Sequence, residues 1–432
     1  MSRPPRFNSP HITWDNNENT LMTKRQLKKT SGKLHLYLGL ASGLVVLIVA
    51  LTGCCWVFQE EITRMVDGDR SVPTETKPFV APTEAKATAA TIFPDKLIHG
   101  TKYCRATNEG TIEPVEVIFY QAEPEFYHSV YLHPYSGVVM GTKDHRDGFF
   151  WWVLQGHLYL WLPPRIGTEI MRYGTMIFVI LLVTGIYLWW PSSRKSRKQR
   201  FTFVWKPTTR WRRKNFDLHS VVGFYVSLLA LIIAFSGLIM AFNWIYFVTY
   251  KAWGGDQAPQ FVIPTNESRK NVLKNNQDPP IDRLLPMLVQ SNPDYESLEL
   301  HYPANDSSSI YVEVSSQSGV YYNSDYRFYD AYSLEELDPG SIYSVYKQAS
   351  LADRVIRMNY DIHVGAIGGL PGKILAFIVS LVTASLPITG TLLWWGRKKK
   401  KRKLPLQAVA ETAVIRTSKA RPARIRVRTP QN

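Results

Sequence analysis

Four long apolar runs divide the 432-residue chain, and nothing else in it constrains the fold as much. Residues 31–58, 168–190, 215–245 and 371–396 are each long enough to cross a hydrocarbon core as a helix, which takes about 20 residues. A spanning segment must satisfy its backbone polar groups internally, so a bundle of four helices is expected. The charge alternates between the runs. Residues 1–33, 191–214 and 397–432 hold 30 of the 51 Lys and Arg residues and only three acids, Asp15, Glu18 and Glu411. The rest is net acidic, although the whole chain carries +16. This alternation follows the positive-inside rule and does not describe a nucleic-acid surface. It places the basic loop 191–214, the basic tail 397–432 and both termini in the cytoplasm, and segments 59–167 and 246–370 outside. The first run ends in "TGCCWVFQEE", which has no small-x-small cleavage pattern, so it reads as a retained anchor. Cys54, Cys55 and Cys104 are too few for a disulfide framework.

The plan is duplicated. "VTGIYLWWPSSRKSRKQR" (183–200) and "ITGTLLWWGRKKKKRK" (388–403) end the second and fourth runs alike, each with a Trp pair before a basic stop. "LHLYLGLASGL" (34–44) and "LHSVVGFYVSLL" (218–229) open the first and third, each with Leu-His and a Gly four residues after the His. A helix–outer segment–helix unit therefore occurs twice, over about 33–200 and 214–403. Both outer segments read as α+β. Period-2 alternation over 115–142 and 298–332 predicts paired strands, with a turn at "HPYSG" and a helix at "DRLLPMLVQ" (282–290). The N-terminal arm 1–30 and the tail after Leu404 read as disordered.

Four of the ten histidines stand at membrane edges. His35 and His219 lie one turn into the first and third runs, on the cytoplasmic side. His157, in "QGHLYLWLPP", and His363, in "DIHVGAIGG", precede the second and fourth runs on the outer side. One such histidine alone is an ordinary interfacial residue; two repeat-equivalent pairs are the pattern by which helical bundles grip haem iron axially. Gly39 and Gly223, at i+4, fall on the same helix face and are expected to leave room for a porphyrin. Lys33, Arg213 and Lys214 inside, and Arg165, Arg172 and Arg357 outside, are candidate partners for propionates. A structural zinc site needs about four clustered ligands, which no Cys/His grouping supplies.

Of the remaining histidines, His11 lies in the arm. His99, His128, His133, His145 and His301 belong to the outer segments and read as surface residues. "TKDHRDGFFWW" (142–152), just ahead of His157, is a candidate lining for an approach to the outer pair. "GAIGGLPG" (365–372) resembles a phosphate loop only in its glycines, since it lacks the Lys-Ser/Thr ending. Glu60 and Glu61 read as a solvated helix end.

The repeated "LH…G" starts, the "TG…LWW" ends and "HPYSGVVMG" resemble the PepSY-associated transmembrane helix family over about residues 30–403. Its members include inner-membrane ferric-siderophore reductases. That resemblance implies a membrane all-α core of four transmembrane helices, two periplasmic α+β PepSY-like domains and two haem b groups in the bacterial inner membrane. His35, His219, His157 and His363 would ligate the haem iron, and a periplasmic ferric siderophore would be reduced for iron uptake. Reduction loosens the grip of hard oxygen ligands on iron. Neither the loop nor the tail is long enough for a flavin or nicotinamide domain, so the electrons are expected from a cytoplasmic flavin reductase or from quinol. Two alternatives stay open: a membrane-anchored PepSY binding module without redox activity, and a reductase of a different periplasmic acceptor.

Overall fold

The computed structural model describes residues 16–68, 70–191, 197, 200–203, 205–267 and 278–402, with side chains over 23–397 of these. His11 and the tail beyond Leu404 lie outside the described residues. Helix α1 (Asn16–Trp56) begins inside the arm expected to be disordered, so residues 16–30 are helical. No Pro or Gly interrupts that stretch, and its Leu, Met, Lys and Gln residues favour a helix.

The chain continues through α2 (Gln59–Asp67), β1 (Val72–Pro73), α3 (Pro82–Ala90), β2 (Ile98–Cys104), β3 (Thr111–Ile112), β4 (Val115–Gln121), β5 (Phe126–Leu132) and β6 (Val139–Asp144). It returns through α4 (Phe149–Tyr159) and α5 (Pro164–Trp189), and then α6 (Trp211–Ala241). The second half adds α7 (Asn243–Ala252), α8 (Pro280–Ser291), β7 (Ser297–His301), β8 (Ile310–Ser315), β9 (Asp325–Tyr329) and β10 (Glu336–Leu337). It closes with α9 (Leu351–Arg357), α10 (Asn359–Val364) and α11 (Gly369–Arg402).

Within α1, α5, α6 and the fourth helical stretch, Thr23–Trp56, Pro164–Trp189, Trp211–Ala241 and Ala366–Arg397 are long and apolar enough to cross a membrane. Among the described residues the chain thus has four helices fit to span a membrane, as a membrane protein does. Helices α1 and α6 each pack against both α5 and α11. Large apolar side chains such as Leu44, Val183 and Leu228 point outward from the bundle, as lipid contact requires. Small residues let the helices approach: a Cβ on Gly174 would come within 2.7 Å of Val45.

The strands depart from expectation in one respect. Instead of two separate domains, both segments build one eight-stranded sheet in the order β10-β9-β8-β7-β2-β4-β5-β6. The seam is antiparallel, with Thr101 opposite Leu300 and Tyr103 opposite Leu298. An unpaired β2 or β7 would expose a row of backbone donors and acceptors, and pairing them removes both edges. Alternation then sends Tyr103, Val117, Leu298 and Val312 to one face, packed under α3 and α8. The other face carries a row of cross-strand neighbours, Glu116–Lys102–Glu299–Glu313. Two carboxylates directly opposite repel. Burial and then Glu313 push the Glu299 carboxyl up to about 7. Burial likewise pulls the imidazole of His301, 3.2 Å from Glu299, down to about 3.

Glu60 and Glu61 are not a merely solvated pair. Glu61 bonds Lys373 at 2.8 Å, and Lys373 also lies 3.7 Å from Glu60, which ties α2 to the start of α11.

Candidate functional site

The four edge histidines come together in two pairs. The rings of His35 and His219 have centroids 6.4 Å apart, inclined at 78°. Those of His157 and His363 are 6.1 Å apart, at 68°. Each pair takes one ring from each half of the chain.

All four rings are held by one local device. His157 Nδ1 donates to the Val49 carbonyl at 3.0 Å and lies 3.2 Å from Thr52 Oγ1. His363 Nδ1 donates to the Ile233 carbonyl at 3.0 Å and lies 3.0 Å from Ser236 Oγ. His35 uses the Leu181 carbonyl and Thr184 Oγ1, at 3.0 Å from the latter. His219 uses the Leu386 carbonyl and Thr389 Oγ1, again at 3.0 Å. A carbonyl only accepts, so Nδ1 carries the proton in every ring and Nε2 keeps its lone pair. Each hydroxyl donates to a carbonyl on its own helix, as Thr184 does to Ile180 at 2.8 Å, and so serves as a further acceptor for Nδ1–H.

The next residue on each supporting helix is glycine. A Cβ on Gly53, Gly185, Gly237 or Gly390 would lie 3.1–3.3 Å from Cε1 of the ring resting there. Sequence reasoning missed this set, although the signal is present once in every run: "VALTG" (49–53), "LLVTG" (181–185), "IAFSG" (233–237) and "LPITG" (386–390). An aliphatic carbonyl, then a hydroxyl three residues on, then glycine, makes a seat for an imidazole. Cβ atoms on Gly39 and Gly223 would meet Leu181 at 3.8 Å and Leu386 at 3.3 Å, the residues whose carbonyls open two of the four seats.

A second missed signal belongs to the second half, "NFDLH" (215–219) and "NYDIH" (359–363). Asn215 donates to the Thr389 carbonyl and Asn359 to the Ser236 carbonyl, both at 3.0 Å, which fastens each histidine's helix to the seat it uses. Asp217 accepts from Trp205 and Arg213, and Asp361 from the backbone of Tyr321 and Tyr322, linking each motif to a flanking segment. A π-helical turn at Leu218–Val222 re-aims His219, a feature common at functional positions. His157 is aimed by a tight reversal after α4, where Leu160 and Trp161 both have positive φ and Gly167 packs on the Tyr159 backbone. Gly365, at φ 81°, ends α10 two residues after His363.

The expected counter-charges are mostly engaged elsewhere. Arg172 pairs with Glu169, and Arg213 with Asp217 at 3.0 Å. Arg357 is buried in the second outer segment, where it donates to the Ser344 and Ser324 carbonyls. Lys214 lies over the Trp205 ring. The approach suggested for 142–152 begins at β6, where Ser129 Oγ and His145 Nε2 are 2.7 Å apart on the polar face of the sheet.

The spacing within each pair suits a single metal ion. Two metal–imidazole bonds of about 2 Å, plus about 1.1 Å from each nitrogen to its ring centre, put the centroids about 6.2 Å apart. Among the described residues no three His, Cys, Asp or Glu side chains cluster as metal ligands. Two imidazoles at this spacing fit an ion whose other positions are filled by a macrocycle, as in haem. A comparison with curated proteins finds no match. The family described as PepSY-associated TM region matches residues 33–397, from just ahead of His35 to just past the seat at Gly390, and the chain belongs to that family.

Proposed function

We propose that the protein is a di-haem b electron-transfer protein of a bacterial inner membrane, with His35 and His219 holding one haem and His157 and His363 the other. The observation that carries this reading is the pair of ring spacings, 6.4 and 6.1 Å, with Nδ1 of all four rings engaged and Nε2 keeping its lone pair. When bound, haem iron supplies one-electron chemistry. The residues' own work is to fix the imidazole tautomer, hold each ring against a glycine and keep the pairs apart. His35 and Thr52, the α1 residues at the two levels, are separated by about 25 Å of helix.

The basic loop and tail support a cytoplasmic placement of the termini, which puts the sheet in the periplasm. Electrons would then enter from a cytoplasmic flavin reductase or quinol and leave to a periplasmic ferric chelate, such as a ferric siderophore, for iron uptake. The test is a dithionite-reduced minus oxidised visible spectrum of the purified protein with a pyridine haemochrome count. Two b-type haems per chain are expected. Absence of haem from protein made with ample haem supply overturns the reading and leaves an anchored binding module.

A further inference from the structure

Helix α6 ends where Phe242 takes an extended conformation, and α7 begins at the next residue. Trp244, Phe247 and Val248 are exposed while Ile245 and Tyr250 are buried, so α7 turns an apolar face outward directly beyond a membrane-crossing stretch. Exposed aromatic side chains at that level belong to the belt where hydrocarbon meets headgroups. Behind α7 lies a cavity of about 750 Å³, whose far wall comes from α9, α10 and β9, within the range of about 300–1,000 Å³ usual for small-molecule sites. Met240 and Phe247 line the cavity and are themselves exposed, so it opens on the lipid interface.

The inner wall carries a cation. Arg357 lines the cavity and is only 7 % exposed. Its two Nη groups donate to the Ser344 and Ser324 carbonyls, which uses two of the five N–H bonds a guanidinium offers, and Nε has no partner. Tyr326 and Tyr346 cover it at 4.9 and 5.1 Å from their ring centres. Burial holds its pKa below the usual value despite the nearby Asp325, and no carboxylate lines the cavity among the described residues. A buried cation without a contacting anion is costly unless a ligand supplies one. The first half has no such wall: counted back from the histidine, Arg357 and Asn359 correspond to Trp151 and the buried Val153. A soluble anion gains nothing from an apolar mouth at the bilayer, whereas an anion that carries acyl chains gains from the mouth and from the cation.

We propose that this cavity is a phospholipid site, which takes the anionic phosphate headgroup of a phosphatidylglycerol-type lipid from the leaflet it opens on. Arg357 meets the phosphate, Asn243 and Gln260 face the glycerol oxygens, and the acyl chains leave past Met240 and Phe247. Asn359 lines the same cavity and donates to the carbonyl of Ser236, whose Oγ contacts His363, so the bound headgroup fastens the helix that carries His363. The assignment needs no haem and stands apart from the reading of the histidine pairs.

The test is native mass spectrometry of the full chain, delipidated in detergent and then offered dioleoyl phosphatidylglycerol, dioleoyl phosphatidylcholine or glycerol phosphate. One phosphatidylglycerol is expected to be retained per chain, at least about tenfold more tightly than the zwitterionic lipid. Glycerol phosphate, which has the headgroup without the chains, is expected not to bind. Arg357→Gln and Met240→Trp should each weaken phosphatidylglycerol binding at least about tenfold. The second variant fills the mouth from an exposed position and leaves the backbone bonds of Arg357 intact. Equal retention of the two lipids, or retention that Met240→Trp leaves unchanged, overturns the assignment. Glycerol phosphate bound as tightly as the lipid overturns it too, and makes the cavity a site for soluble anions. Haem is counted on the same sample, and its absence with phosphatidylglycerol retained sinks only the reading of the histidine pairs.

Discussion

The ring of His157 lies 6.1 Å from that of His363, and each leans on a helix of its own half, His157 on α1 and His363 on α6. The same crossing recurs at the other end, where His35 leans on α5 and His219 on α11.

Single substitutions should therefore sort by pair. His35→Ala and His219→Ala are each expected to remove one and the same spectral component, leaving one haem of two. His157→Ala and His363→Ala should remove the other. Redox titration of the four variants checks this, and loss of a common component from His35→Ala and His157→Ala would refute the pairing.

The glycine seats should separate from Gly39. Gly237→Val places new atoms at least as close as the 3.1 Å already reached between a Cβ and His363 Cε1, so the outer haem should be lost while the chain still inserts. Gly39→Ala meets only Leu181, at 3.8 Å, and should keep both haems. Haem content after detergent extraction distinguishes the two cases.

On the proposed haem reading, Thr184 acts on the iron only through His35. Thr184→Val keeps the shape and removes an acceptor from Nδ1–H. Loss of an outer hydrogen bond of this kind weakens metal retention about 10–100-fold. A raised midpoint potential (the imidazole becomes a weaker donor to the ferric iron) or altered low-spin EPR signal in the inner haem alone, with rescue by Thr184→Ser, is the expected signature. An unchanged inner signal would reduce the contact to helix packing.

The sheet should lose stability as pH rises. Glu299 has its folded-state pKa pushed up to about 7 by burial and the Glu313 carboxylate, so the folded protein holds that proton more tightly than the unfolded chain does. Stability is highest below the ordinary carboxyl value, falls through the window up to about pH 7 and levels off above it, by at most about 3 kcal/mol. Glu299→Gln should flatten that slope and melt later than wild type at pH 8. Thermal unfolding at pH 5.5 and 8 checks both points.

Much of this was legible before any coordinates. The spans, the edge histidines and most of the strands announce themselves through hydropathy, repeated dipeptides and alternation. The seam between β2 and β7 did not, because strand partners nearly 200 residues apart leave no local pattern; Tyr103 and Leu298 read alike whether paired or in separate domains. The Thr-Gly and Ser-Gly seats were in plain view yet too short to stand out among small residues that serve helix packing equally well. Their meaning appears only when an imidazole from another helix is set against them.

The crossing of halves has a consequence for assembly. A polypeptide ending after the first basic loop would carry one ligand for each level and both seats for its own rings, yet no complete coordination site. Only by finding a second copy, sheet edge to sheet edge, could it bind two metals at once. On the proposed reading, stoichiometry is thus written into the covalent chain: joining the two halves fixes the effective concentration of each ligand for its opposite number.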